Sequence, residues 1–183
     1  YTPVVMAMEY LCGKGEGAAL APMLAEEWSP NDDGSVWTFN ICQGVKWHDG
    51  TDFKASDVVG ALDRLAPTNL AAYIDPGSAV AVDDATVEIT LKSPDGQFPY
   101  QVSPYNPQSV ITPHDYEIGT LFDEKPNGTS AFKLDSYDVG TGANYVRFDE
   151  WWGGAAFLDR VEIIFADDNE TQINGLLGGE VDA

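Results

Sequence analysis

Two histidines, two cysteines and thirty carboxylates are the side chains of this 183-residue chain able to do chemistry, and their spacing limits what they can do. A metal site needs three or four nitrogen, sulfur or oxygen ligands converging on one point. His48 stands in a Trp47-His48-Asp49-Gly50 turn and the only other histidine, His114, lies far off in sequence, so no metal is expected. Cys12 and Cys42 have neither zinc-knuckle nor C-x-x-C spacing. They read either as two buried thiols or as one disulfide in an oxidising compartment. Thirty carboxylates could include the acid–base pair of a glycoside hydrolase, but no motif holds any two of them across a cleft. There is no G-x-S-x-G elbow, no H-E-x-x-H and no Cys–His pair with a third partner. The run Gly13-Lys14-Gly15-Glu16-Gly17 starts like a phosphate-cradling G-x-G-x-x-G, yet Ala18 takes the third glycine's place, so it reads as a surface loop. Asn127-Gly128-Thr129 and Asn169-Glu170-Thr171 match the N-glycosylation sequon, a pattern that chance supplies often. The chain is expected to be no enzyme and to need no cofactor.

The elements that must position these residues follow from periodicity. Val4 to Leu11 is short and apolar and reads as a helix ahead of the glycine loop. After a turn at Asn31-Asp32-Asp33-Gly34, Ser35 to Cys42 alternates, with Trp37, Phe39 and Ile41 on one face of a half-buried strand. A helix opens at Lys54 to Ser56, carries the stripe Val58, Val59, Leu62 and Leu65, and stops at Pro67. Val80 and Val82 lead through Asp83-Asp84 into a second strand, Thr86 to Lys92, as a hairpin. Prolines 94, 99, 104, 107 and 113 punctuate a stretch with little regular structure. Strands follow at Ala131 to Tyr137, Asn144 to Phe148 and Val161 to Phe165, then a helix from Asp168 to Leu177 that Gly178-Gly179 ends. Strands and helices mix without a βαβ rhythm or an internal repeat, so the class is α+β.

Composition narrows the partners. Nine basic residues against thirty acidic ones leave a net charge of −21, while 44% hydrophobic and 11% aromatic residues rule out a disordered acidic tail. Such a charge repels nucleic acid and anionic membrane surfaces. No stretch approaches the 18 apolar residues of a bilayer span. The acid excess suits either a solvated, soluble surface or adaptation to high salt, and composition leaves both open. Starting at Tyr1-Thr2-Pro3 and stopping at Glu180-Val181-Asp182-Ala183, the chain is expected to be an excised piece of something longer.

The segments Leu24-Ala25-Glu26-Glu27-Trp28, Asp33-Gly34, Trp37-Thr38-Phe39, Gly44-Val45-Lys46-Trp47-His48-Asp49-Gly50, Phe53 and Ala55-Ser56-Asp57-Val58 keep the order and spacing of one known pattern. That pattern, LA-x-x-W … DG-x-x-WTF … GVKWHDG-x-x-F-x-A-x-DV, is one the chain shares with the family 5 extracellular solute-binding proteins, which it resembles. Gly128 to Leu134 is similar to the family's GTGPF-x-L strand, Trp151-Trp152-Gly153-Gly154 with Leu158 to Val161 to its YWGG … LDRV, and Gly179 to Ala183 to its GE(V/I)DA. Two departures stand out: Cys42 where the family prefers Arg or Lys, and Ser130-Ala131 where it has Gly-Pro.

The resemblance implies part of a periplasmic-binding-protein-like lobe (type II, cluster C) with mixed sheets and flanking helices. Residues 1–115 would form the extra subdomain of lobe one and 116–183 a truncated part of that lobe. It implies a monomeric, extracytoplasmic receptor, periplasmic or a cell-surface lipoprotein, that hands a small solute to an ABC permease by closing two lobes on it. Peptide is the expected solute, with oligosaccharide or a nickel complex as alternatives. A solute-binding sensor or regulatory module is the other reading, and a carboxylate-dependent glycoside hydrolase the weakest. Receptors of this kind wall their ligands with aromatic rings, and Tyr73, Tyr105 and Trp151, in or beside irregular segments, are the expected contacts. The same rings would also serve a core. Cys12 and Cys42 would fall in one subdomain, close enough to bridge.

Overall fold

A computed structural model describes residues 6–117, 126–166 and 168–182. Three antiparallel sheets organise them. Strands β1 (Cys12–Lys14) and β2 (Leu20–Pro22) make a small hairpin around the glycine loop. Strands β3 (Ala25–Pro30), β4 (Val36–Ile41), β5 (Ala79–Ala81) and β6 (Thr86–Thr90) form a four-stranded sheet in the order β3-β4-β6-β5. Strands β7 (Phe132–Asp138), β8 (Gly142–Arg147) and β9 (Arg160–Ile164) form the third. Helix α1 is Ala55–Leu65, a 3-10 turn spans Phe98–Val102, and helix α2 is Asn169–Gly178.

The alternation read in the sequence sets the main core. Trp37, Phe39 and Ile41 of β4 are buried with Val87 and Ile89 of β6 beneath Val58, Ala61 and Leu62 of α1. Burying each large side chain contributes roughly 1.5–3 kcal/mol. Phe98 enters the same core and meets Phe39 edge-on at 6.4 Å between ring centres. Asp57 fixes the start of α1: its buried carboxylate accepts the Lys54 amide at 2.9 Å and the Trp47 indole N–H at 3.2 Å. At the other end of the chain Asp168 caps α2 through the Thr171 amide at 2.7 Å, and Gly179 ends it in the left-handed region.

The N-terminal segment departs from expectation. Val4 and Val5 lie outside the described residues; Met6 and Ala7 are helical, but Met8 to Tyr10 are irregular and Leu11 leads into β1. The reason is tertiary hydrogen bonding. The carbonyls of Ala7, Glu9, Tyr10 and Leu11 accept from Ser130, Ile111, Leu24 and Ala25 respectively, so they have been withdrawn from any helix. The segment from Leu20 to Pro30 supplies β2 and β3. A second, smaller core joins this N-terminal segment to the third sheet, with Ala7 and Met8 packed on Ala143 and Tyr145.

Candidate functional site

Several hollows open among the described residues, and three of them are large enough to consider. One is a shelf of about 380 Å³ on the outer face of β3 and β4, edged by Glu26 and Glu27. Another, about 590 Å³, lies beside the His48 turn and is lined by Asp49, Asp115, Asp135 and Lys133. The third, about 540 Å³, has a wall that is mainly apolar, as small-molecule sites do.

Its wall is assembled from five stretches that the fold brings together. Met6, Met8, Glu9 and Tyr10 come from the N-terminal segment and Met23 from the corner between β2 and β3. Pro104 and Pro107 come from the proline-rich stretch. Ser130, Ala131 and Phe132 lead into β7, and Trp151 follows β8. The Tyr10 hydroxyl donates to the Pro107 carbonyl at 3.1 Å, tying the first stretch to the third. Ser130 and Ala131, the departure from the family pattern, are part of this wall.

Glu9 is the one charged side chain in that wall, and it is only 5% exposed. Its Oε2 accepts the Trp152 indole N–H at 2.9 Å and its Oε1 the Trp151 indole N–H at 3.4 Å. The carboxylate thus holds both rings, which meet edge-on at 6.1 Å. Burial raises the Glu9 pKa, and the Trp152 hydrogen bond works against the rise.

The structure does not gather the three expected aromatics. Trp151 lines the cavity. Tyr105 is more exposed, at 43%; it packs on Tyr100 with centres 5.4 Å apart and has Lys14 Nζ 5.8 Å from its ring. It neighbours the lining residue Pro104 in sequence without lining the cavity itself. Tyr73 packs against Phe98 at 6.3 Å and belongs to the main core, because its backbone closes the turn after α1 through the Leu70 and Lys92 bonds. Sequence reasoning missed Glu9 and the methionines. A lone carboxylate in the apolar run Met6-Ala7-Met8-Glu9-Tyr10 was the available signal, since buried charge is rare without a purpose.

The other chemically able residues are occupied structurally. His48 Nε2 lies 2.8 Å from the Ser130 carbonyl, and the Gly128 amide donates to Nδ1 at 3.3 Å. That pairing requires the neutral ring with its proton on Nε2. Burial, first, holds its pKa down at about 4. Asn127 of the first sequon exchanges two hydrogen bonds with Asp49. Cys12 and Cys42 are both free thiols, so no disulfide joins them. Burial pushes Cys12 up to about 12; Cys42 is also raised, by burial and then by the Glu26 and Glu9 charges. Both are poor nucleophiles. Among the described residues no three His, Cys, Asp or Glu side chains are grouped to hold a metal ion.

Residues 19–183 match the family model described as bacterial extracellular solute-binding proteins, family 5 Middle. The chain belongs to that family. It is 31% identical over 177 residues to the glutathione-binding protein GsiB of Escherichia coli K12, covering 93% of this chain and 34% of the relative. Among solved structures, a nickel ABC transporter protein from Bacillus halodurans superposes with a TM-score of 0.84 at 30% identity, over 99% of this chain and 38% of that one. The binding protein AgaA of A. tumefaciens R10, solved with agropinic acid, gives 0.81 at 25% identity, over 98% and 38%. This chain therefore spans about a third of the length of such relatives, and its fold is that of a partial type II periplasmic-binding-protein lobe.

Proposed function

We propose that the chain is the solute-capturing part of an ABC importer receptor, with the cavity beside Trp151 as one side of its ligand site and a short peptide as the solute. The observation that carries this reading is the cavity itself. About 540 Å³ falls within the size range of small-molecule sites, and its aromatic, thioether and proline wall has no lysine or arginine to pair a phosphate. Similarity to a glutathione-binding protein supports a peptide-sized solute. The receptor would work outside the cytoplasm and as a monomer, delivering the solute to a permease. Among the described residues no helix is long and apolar enough to cross a membrane. A second lobe would complete the site by hinge closure, its contacts stabilising the closed form. We keep residues 1–115 as the extra subdomain and 116–183 as part of lobe one, with Met6 to Met8 packing across that boundary. Trp151 is the proposed direct contact, Tyr105 an outlying one, and Tyr73 a packing residue.

The test is a titration of tryptophan fluorescence with tri-alanine and, separately, glutathione, for the chain and for Trp151→Ala. Saturable change that the substitution weakens, with the peptide recovered intact, supports the reading. Solute consumed during incubation would return the question to an enzyme, and an equal response from Trp151→Ala would remove the cavity from it.

A further inference from the structure

Glu9 is a buried carboxylate with no cation against it: none of the ion pairs among the described residues includes it. Burying an unpaired charge is costly, and an apolar side chain of similar size would be no less stable there, so packing does not account for it. What it meets instead are N–H donors. The Trp151 and Trp152 indoles both donate to it, from 142 and 143 residues along the chain. An ionised carboxylate only accepts, so it serves two converging donors at once. A glutamine or a protonated acid would turn a donor of its own towards one of them.

The two rings have different surroundings. Trp152 packs against the main core, and the Glu9 carbonyl accepts the Ile111 amide, so the carboxylate stands on a fixed base. Trp151 is the half-buried ring that lines the cavity. Its backbone is spent in a turn, the amide donating to the Phe148 carbonyl at 3.1 Å and the carbonyl accepting from Gly154 at 3.2 Å. Only the side-chain torsions of Trp151 are then left to set. Gly153 decides where they can point. A Cβ there would lie 2.5 Å from Trp151 Cζ2 and Cη2, well inside carbon–carbon contact, so the ring fills a slot that the missing side chain leaves open. The indole is thus held at its N–H edge by Glu9 and accommodated at its benzo edge by Gly153.

We propose that Glu9 and Gly153 are positioning residues for the solute site: the ionised carboxylate and the slot beside Gly153 together fix the Trp151 ring as the wall a solute meets. The proposal rests on the reading of the cavity as a solute site. Both residues act through Trp151, Glu9 because its two oxygens are engaged by the indoles and Gly153 because it has no side chain. A ring set in place beforehand does not have to be ordered when the solute arrives, and that spares part of the cost of binding.

The tryptophans provide the reporters. Protein labelled with heavy nitrogen at the indoles gives five N–H signals in solution NMR, one per tryptophan. In the unaltered protein the Trp151 and Trp152 N–H groups are expected to exchange with solvent roughly tenfold or more slowly than free tryptophan. Glu9→Gln should shift the Trp151 signal and speed its exchange. Gly153 has no positive φ, so Gly153→Ala adds a methyl group without backbone strain; it should shift Trp151 while leaving Trp152 in place. Each variant is expected to weaken the binding of tri-alanine, followed on the same signals up to tens of millimolar, by about tenfold. A Trp151 N–H that exchanges as fast as free tryptophan in the unaltered protein overturns the proposal, and that comparison needs neither variant to fold. Variants that move the ring yet bind tri-alanine as the unaltered protein does overturn it too, and leave the solute site standing. If Glu9→Gln weakens binding while Gly153→Ala displaces the ring without loss, the carboxylate touches the solute itself and the positioning role falls. If tri-alanine moves no signal of the unaltered protein, the solute reading falls, and the positioning of a solute wall falls with it.

Discussion

His48 shows how a chemically capable residue becomes a fastening. Its two ring nitrogens are both spent, one donating to Ser130 and one accepting from Gly128, and its ring meets Phe148 edge-on at 5.0 Å. Adding a proton to Nδ1 would set it against the Gly128 N–H. Because the folded-state pKa is lowered from 6.5 to about 4, the folded protein binds less proton than the unfolded chain between those values. The contribution is therefore present above pH 6.5 and is lost as pH falls through 6.5 towards 4, amounting to about 3 kcal/mol. His48→Gln keeps a donor for Ser130 without the titration. Urea unfolding at pH 7, 5.5 and 4 should show the unaltered protein losing about 3 kcal/mol more than the variant. Glu9, raised by burial, titrates in both proteins and cancels from the difference.

Gly128 makes the matching point for an element, the segment that joins the N-terminus to β7. A Cβ there would lie 1.9 Å from the Ala7 carbonyl oxygen, and that contact is backbone, with no side chain to swing aside. Gly128→Ala should lower stability by about 1–3 kcal/mol, read as a fall in thermal midpoint, and should disturb the cavity that Met6 and Met8 help to wall. This segment also marks where the sequence stopped being legible. Strand β4 and helix α1 were readable because their apolar period matches their own burial, as at Trp37, Phe39 and Ile41 or Val58 and Leu62. Residues 8–11 were read as helix because local propensity cannot show that their carbonyls are claimed by Leu24, Ala25, Ile111 and, just before them, Ser130. The candidate site was legible only at Trp151. Glu9, Met8 and Pro107 come together through contacts across nearly the whole chain, and periodicity is blind to those.

At the scale of the molecule, the −21 charge is spread over an exposed surface. The Lys and Arg ion pairs among the described residues, such as Lys46 with Glu150 and Lys92 with Asp75, are solvent-facing and neutralise few of the carboxylates. Mutual repulsion should then limit stability at low ionic strength. If the acidity is an adaptation to high salt, the thermal midpoint should rise by several degrees between low and molar KCl, since about 1 kcal/mol shifts it by roughly 2–4 °C in a protein of this size. An unchanged midpoint returns the charge to ordinary solubility.

On the proposed function, the cavity between Met6, Met23, Pro107 and Trp151 receives a peptide. If the cavity is, as proposed, one wall of a site that a second lobe encloses, affinity near 1 mM, about −4 kcal/mol, is expected of this chain, which spans about a third of its relatives' length. Photo-cross-linking tolerates such weak binding. A tripeptide carrying benzoylphenylalanine at its centre, irradiated with the protein and mapped by mass spectrometry, should attach to fragments bearing Met6, Met8, Met23 or Trp151, and excess tri-alanine should suppress it. Attachment confined to the Asp49 and Lys133 hollow or to the Glu27 shelf, unaffected by tri-alanine, would contradict the account.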